Sequence, residues 1–313
     1  MEKSKARHNS LFKNSRYMKR LIFYICVLAL PLLQFAIFYL YVNFDSIILA
    51  FQTYDIGPNG GYVSSFAGLK NFKNVIDILK SKPQLIENSL ILFVCEFCIG
   101  IPLALMFSYY IYKHRLFAGW FRVLLFLPQI ISGTVFVLIV KILLGEAFTG
   151  TPGLPDLIIN APIATRRATL IVFTLFMSFG VNVLLFTGAM TSIPPSLIEA
   201  SELDGCNPIQ EFINVTLPCI FPTIVSFIIM TIGTIFTHQM FLFTFAFGDD
   251  KLSTIGFFIY SQAQARDGGL YPSSNEVASY STLSAFSIMI TLVLFPLTLG
   301  VRKLLMRFGP STK

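Results

Sequence analysis

Long apolar runs recur from one end of this 313-residue chain to the other. A helix needs about 20 mostly apolar residues to cross a bilayer, and few other folds tolerate such runs. Six segments meet the requirement: roughly 21–42, 87–112, 120–144, 168–190, 218–247 and 280–299. Only 12% of residues are charged, against about 25% in an ordinary soluble domain. The chain therefore reads as an all-α polytopic membrane protein with six transmembrane helices. The first run is too long for a signal-peptide core and has no small-residue cleavage site, so it reads as a retained helix.

Charge sets the orientation. Residues 1–20 hold seven Lys or Arg against one Glu and read as a basic, cytoplasmic, partly disordered arm. Lys113, His114 and Arg115 close the second span, and Arg302, Lys303, Arg307 and Lys313 follow the sixth. Basic residues favour the cytoplasmic side, which places both termini inside. The net charge of +7 is thereby topological rather than a nucleic-acid footprint. The expected layout is a basic arm (1–20), a transmembrane domain (21–305) and a short cytoplasmic tail (306–313). The segment Phe66–Ile76 is amphipathic and suits the membrane surface or the helix ends. A turn is expected at Gly57–Gly61, a Pro/Gly-rich outer loop over 145–167, and a further outer loop over about 248–279.

One inner loop stands apart. Residues 194–218, between spans four and five, carry Glu199, Glu202, Asp204 and Glu211 and no Lys or Arg. Their grammar is helix, sharp turn, helix. Ser196 with Glu199 spells a capping box, Gly205 a left-handed stop, and Asn207 with Pro208 and Gln210 a second capped start. Pro218 marks entry into the next span. A stiff elbow with an acidic face suggests docking, and the missing positive charge asks for a basic surface to cover it.

Several chemistries are excluded by their missing residues. The sequence has no G-x-x-x-x-G-K-[ST], no H-E-x-x-H and no G-x-S-x-G. His8, His114 and His238 are too scattered to spell a metal site. Cys95 and Cys98 have C-x-x-C spacing but sit in an apolar helix, where packing is the reading. No catalytic or metal residue is assigned, and any energy source belongs to another chain or an ion gradient.

Polar side chains at membrane depth are costly and mark function by default. They are Glu96 in the second span, Gln129 in the third, Asn182 in the fourth, and His238 and Gln239 in the fifth. Either they line a hydrophilic path or they hydrogen-bond between helices and fix packing. The amides of Asn182 and Gln239 suit a neutral solute.

The elbow resembles the cytoplasmic signature loop of permease subunits of binding-protein-dependent ABC importers. Glu199-Ala200-Ser201 is followed by three residues, Gly205, nine residues, and Val215-Thr216-Leu217-Pro218. That family's pattern is E-A-A, three residues, G, nine residues, I-x-L-P; Ser201 and Val215 are the departures. FAGLKNFKNVI (66–76) and FRVLLFLPQIISGTV (121–135) resemble segments of its carbohydrate branch, of the maltose or glycerol-phosphate first-permease type. The likeness covers most of 20–305 and is weakest in the outer loops.

The resemblance implies a prokaryotic cytoplasmic-membrane subunit that pairs with a second permease. It implies two cytoplasmic ATPase subunits carrying ATP and Mg, an extracytoplasmic solute-binding protein, and a sugar or sugar derivative as cargo. Glu199, Ala200, Ser201, Asp204, Gly205, Leu217 and Pro218 would then form the coupling contact and its hinge. The rival is an ion-coupled secondary carrier using Glu96 and His238.

Overall fold

The computed structural model describes residues 2–56, 62–114, 116–143, 161–245, 250–266 and 279–309. The turn expected at Gly57–Gly61, and most of both long outer loops, lie outside those residues. The backbone packs as two units, Met1–Lys73 with Tyr280–Ile288, and Asn74–Ser279 with Met289–Lys313.

In the first unit, α1 (Glu2–Phe35) runs through a π-helical turn at Ala36–Tyr41 into α2 (Val42–Ala50). The helix therefore begins at Glu2, where a partly disordered arm was expected, and ends at Ala50 rather than Val42. Hydropathy marks only the stretch that suits lipid, whereas helix propensity continues through the Lys- and Arg-bearing arm. The apolar side chains of its span are exposed up to Ile48, a surface suited to lipid, and Ala50 at its end is buried. A hairpin follows that apolar counting alone did not reveal. β1 (Gln52–Ile56) pairs antiparallel with β2 (Tyr62–Phe66), from Gln52↔Phe66 to Ile56↔Tyr62. Both strands are rich in the aromatic and β-branched residues that favour a pleated surface. The buried Asn71 amide, in α3 (Lys70–Ser81), donates to the carbonyls of Ala50 and Gln52 at 2.9 Å each. It thereby satisfies acceptors that the end of α2 leaves open.

In the second unit, α4 (Gln84–Cys95) passes through a π-helical turn at Glu96–Gly100 into α5 (Ile101–Tyr112). Pro102 supplies no N–H for the Cys98 carbonyl, which accounts for the turn there. Then come α6 (Ala118–Ile130), α7 (Gly133–Ile142) and α8 (Ile163–Thr191). The elbow holds α9 (Pro195–Leu203) and α10 (Pro208–Glu211). A π-helical turn at Phe212–Thr216 leads into α11 (Leu217–Thr234). Here Pro218 withholds a donor from the Asn214 carbonyl, the same cause as before. The short α12 (Leu242–Phe245) and α13 (Ile255–Arg266) precede α14 (Tyr280–Phe308), which is divided between the units.

Among the described residues, four segments are long and apolar enough to cross a membrane: Tyr17–Ala50, Gln84–Tyr112, Ile163–Thr191 and Tyr280–Arg307. The count becomes six if each of two bent pairs is one span. α6 and α7 meet at 97°, and the fifth span bends by 71° between Cys219 and Phe221. Ile131 turns extended at the first break (φ −81°, ψ 141°). At the second, Pro222 offers no N–H to the Pro218 carbonyl.

The fifth span also stops early. It was expected to continue to Phe247, but α11 ends at Thr234 and the chain turns through Met240 (φ 51°) and Phe241 (φ 52°). Consecutive left-handed residues cannot continue an α-helix. The segment expected to be outer loop contains α13, whose Ile255–Phe258 are buried. Asn88 and Ser89 of α4 hold its approach, donating to Lys251 and Ser253 carbonyls and accepting from Ile255 N–H.

α8 is the centre of this unit, with α5, α6 and α11 packed on it. Phe186 and Met190 of α8 are fully buried against Ile220, Ile224 and Phe227 of α11. Gly180 sets the distance to α6, because a Cβ there would run into the Leu125 backbone carbonyl. Gly180→Val must push backbone aside and should lower the melting temperature markedly, since overpacking costs about 1–3 kcal/mol or more. Gly188→Ala, inside α8 where nothing lies within 4 Å, should hold it or raise it slightly, since Ala favours a helix over Gly. Thermal unfolding of both variants in detergent tests the pair.

Candidate functional site

The breaks in α6–α7 and after α11 open onto one cavity of about 470 Å³ within the second unit. Glu96, Gln129, Asn182 and His238 all line it. Four of the five polar residues expected on a path are thus brought together, and Gln239 is not among the lining residues. Glu96 arrives on the π-helical turn between α4 and α5, and Gln129 is the last residue but one of α6, beside the α6–α7 break. The Gln129 amide donates to the Met177 carbonyl of α8.

Hydroxyls missed in the sequence complete the wall. Thr174 and Ser178 stand with Asn182 on α8, and Thr231 and Thr234 follow Phe227 on α11. Both sets recur at i, i+4 or i, i+3, one face of a helix. That stripe of hydroxyls through apolar sequence was the available signal. Ser178, Thr231 and Thr234 donate back to carbonyls of their own helices, so their oxygens still accept. The buried Thr174 Oγ1 has no hydrogen-bond partner among the described residues. Phe227, Phe241, Met177 and Met230 supply the apolar lining. Among the described lining residues there is one carboxylate and no Lys or Arg.

His238 is held by the turn that follows α11. Its Nδ1 accepts from the Met240 N–H at 3.0 Å, which leaves the proton of the neutral ring on Nε2. Its carbonyl accepts from Thr254 Oγ1 at 2.7 Å. α13 begins hard against this turn: a Cβ on Gly256 would meet the Thr237 and His238 carbonyls. A Cβ on Gly133 would reach van der Waals distance of the Phe241 ring, so the two helix breaks lie side by side.

The elbow forms a second site. Its second half starts as expected: Asn207 Oδ1 accepts from Gln210 N–H, and Gln210 Oε1 accepts from Asn207 N–H. Gly205 is left-handed with φ 76°. Its first half differs. α9 starts at Pro195 after Pro194, with no side-chain cap, so Ser196 and Glu199 form no capping box. Pro195 has no N–H and a preset φ, which starts the helix one residue before Ser196 could cap it.

The acidic face is partly neutralised from within. Lys113, just past α5, places Nζ 3.2 Å from Glu202 Oε1 and 2.8 Å from Glu211 Oε1. The Glu211 side chain is 4% exposed, and its contact is an ion pair rather than an aligned hydrogen bond. Burial alone would pull the Lys113 pKa down, but the two carboxylates outweigh it and hold the ammonium above the ordinary lysine value. The elbow's missing positive charge is thus supplied, in part, by this chain.

What remains outward is Glu199, Ala200, Asp204 and Gly205, with Leu203 at 89% exposure, Ile209 and Ile213. Ser201 is buried and bonds back to the Ile198 carbonyl. Leu217 packs at the rim of the core shared by α5, α8 and α11, and Pro218 stands half-buried beside it in the first turn of α11.

Residues 99–310 match the family described as binding-protein-dependent transport system inner membrane component. An arabinooligosaccharides transport system permease protein of Halalkalibacterium halodurans is 24% identical over 253 residues, 76% of this chain and 77% of that protein. A multiple sugar-binding transport system permease protein of Streptococcus mutans is 25% identical over 250 residues, 75% and 82% of the two chains. A solved bacterial ABC transporter involved in the import of the acidic polysaccharide alginate superposes with a TM-score of 0.74 at 19% identity. That match covers 95% of this chain and 99% of the other.

Replacing Lys113 by Met leaves the Glu211 carboxylate buried without its cation. Breaking one side of such a pair costs about 3–5 kcal/mol. Thermal unfolding should show a large fall for Lys113→Met and a small one for Glu202→Gln, whose carboxylate is exposed. Because the Lys113 pKa is raised on folding, its stabilisation is complete below the ordinary lysine value and fades as pH climbs through the raised one. Equal melting of both variants would sink the buried pair as the main contact.

Proposed function

The chain belongs to the binding-protein-dependent transport system inner membrane component family, and from that premise we infer that it is the permease subunit of an ABC-type saccharide importer. It sits in the membrane, and it is a transport subunit rather than an enzyme. A second permease would complete the pathway. Two cytoplasmic ATPase subunits would hold ATP and Mg, and an extracytoplasmic binding protein would deliver the solute. The elbow and both termini face the cytoplasm in this reading, supported by the basic residues that flank the spans.

One observation carries the mechanism: the two helices joined by the elbow, α8 and α11, both line the cavity. Movement of the elbow therefore reaches Thr174, Ser178 and Asn182 along one helix and Thr231 and Thr234 along the other. Glu199, Ala200, Asp204 and Gly205, with Leu203 and Ile209, form the surface offered to an ATPase cleft. Ser201 lies beneath it, and Leu217 and Pro218 join it to α11. The exposed leucine and isoleucines supply the apolar area that a docked helix pair buries.

The cavity suits a saccharide of low charge. Amides and hydroxyls donate and accept along a sugar's hydroxyls, and Phe227 and Phe241 offer apolar faces. The names of the relatives, for arabinooligosaccharides and multiple sugars, support the same class. No relative favours the ion-coupled alternative, although Glu96 and His238 do share the cavity.

The elbow role is tested at Gly205, where space is open but the backbone is left-handed. Gly205→Val should lose saccharide uptake in the reconstituted complex or fail to retain the ATPase. Gly205→Asn, which tolerates this conformation, should keep both. Normal uptake by the valine variant would remove the elbow from the mechanism.

A further inference from the structure

The end of α5 grips the elbow by three contacts of different kinds. Lys113 reaches Glu202 and the buried Glu211. The Tyr109 hydroxyl donates to the Pro208 carbonyl at 3.0 Å. The Tyr109 ring lies 4.9 Å from that of Phe212, centre to centre. One of these carboxylates sits on α9 and the other on α10, so Lys113 spans the Gly205 turn between them. A lone exposed ion pair would be worth little. Here the inner carboxylate is buried and a ring and a hydroxyl reinforce it.

The same helix is fixed elsewhere. Ser108 Oγ donates to the Val183 carbonyl of α8 at 2.9 Å. The contacts close a ring: α8 runs into the elbow, the elbow meets Lys113, and α5 returns to α8 through Ser108. A closed ring of contacts resists the flexing that a turn at Gly205 alone would allow. At its far end α5 continues, through the Glu96–Gly100 turn, to the carboxylate that lines the cavity. Glu96 and Lys113 are 17 residues apart, roughly 25 Å along a helix.

We propose that Lys113 is a positioning residue that latches both halves of the elbow to α5, so that the elbow and the Glu96-bearing helix move as one lever. The drive then reaches the cavity by three helices, α5, α8 and α11, rather than by the two that the elbow joins. This rests on the elbow being the driven surface.

The test uses the whole importer, with its ATPase, second permease and binding protein, in lipid nanodiscs and liposomes. Lys113→Met combined with Glu211→Met removes the latch without leaving a buried charge. That double variant should melt near the wild type and hold the ATPase normally. It should use about fivefold or more ATP per saccharide moved, the low end of measured coupling effects. An unchanged ATP-to-saccharide ratio would overturn the latch.

Should the double variant fail to assemble, the question is settled with the latch intact. Spin labels at His114 and Asn214, in a cysteine-free background, should report one distance with and without ATP. A change beyond one helical turn, about 5 Å, would overturn the proposal. Gly205→Val separates the two readings. If it transports normally, the elbow reading fails. If it is uncoupled while the double variant is not, only the latch fails.

Discussion

A backbone N–H or C=O left unpaired in hydrocarbon costs several kcal/mol, so a membrane protein can interrupt a helix only where something else meets those groups. The arrangement around the cavity depends on that constraint. α6 stops at Ile130 and α7 resumes at Gly133, and α11 stops at Thr234 before the chain turns left-handed at Met240 and Phe241. The second break is satisfied locally: the Thr234 carbonyl accepts from Thr237 and His238 N–H, and the His238 carbonyl accepts from Thr254. Both breaks border the cavity, where polar lining replaces lipid. The breaks bring Gln129 and His238 to the same wall as Glu96 and Asn182.

The sequence was legible wherever a single-residue cost was large. Glu96, Gln129, Asn182 and His238 stood out because a polar side chain in an apolar run needs a reason, and the structure gathers all four. Gly205 and the Asn207–Gln210 cap were legible because few residues adopt those conformations. Less legible was whatever depends on partners distant in sequence. Hydropathy could not show that α11 ends at Thr234, because Phe241–Phe247 is as apolar as the helix before it. The end is set by α13, pressed on the turn through Gly256. Nor could it reveal Lys113 as the elbow's own counter-charge, 89 residues before Glu202. The Thr and Ser stripe was readable in principle, but hydroxyls that bond back to their own helix cost little in lipid and raise no alarm.

The cavity and the elbow share structure: α8 and α11 line the first, and they and α5, which continues from the Glu96 turn, all meet the elbow. α8 enters it, α11 leaves it, and α5 is held to it by Lys113 and Tyr109. The bends do not undo this. The 71° turn at Cys219–Phe221 changes the direction of a push from the elbow but keeps the helix packed, with Ile220, Ile224 and Phe227 buried against α8. The π-helical turn at Glu96–Gly100 plays a different part, since it re-aims one carboxylate without redirecting the helix.

Fold and cargo are separate questions. A likeness at 19% identity carries the architecture of an alginate importer onto this chain but not its cargo. A polyuronate carries a carboxylate on every sugar, and the described lining here offers Glu96, with no Lys or Arg, to meet it. At short range like charges repel, and the low dielectric of a membrane cavity strengthens that repulsion. A polyanion would therefore find no counter-charge among the described lining residues. A saccharide of hydroxyls needs none, and the Asn182 and Gln129 amides with the hydroxyls of α8 and α11 already match it. Among the described lining residues the one carboxylate, Glu96, thus stands on a helix turn that continues into the helix leading to Lys113.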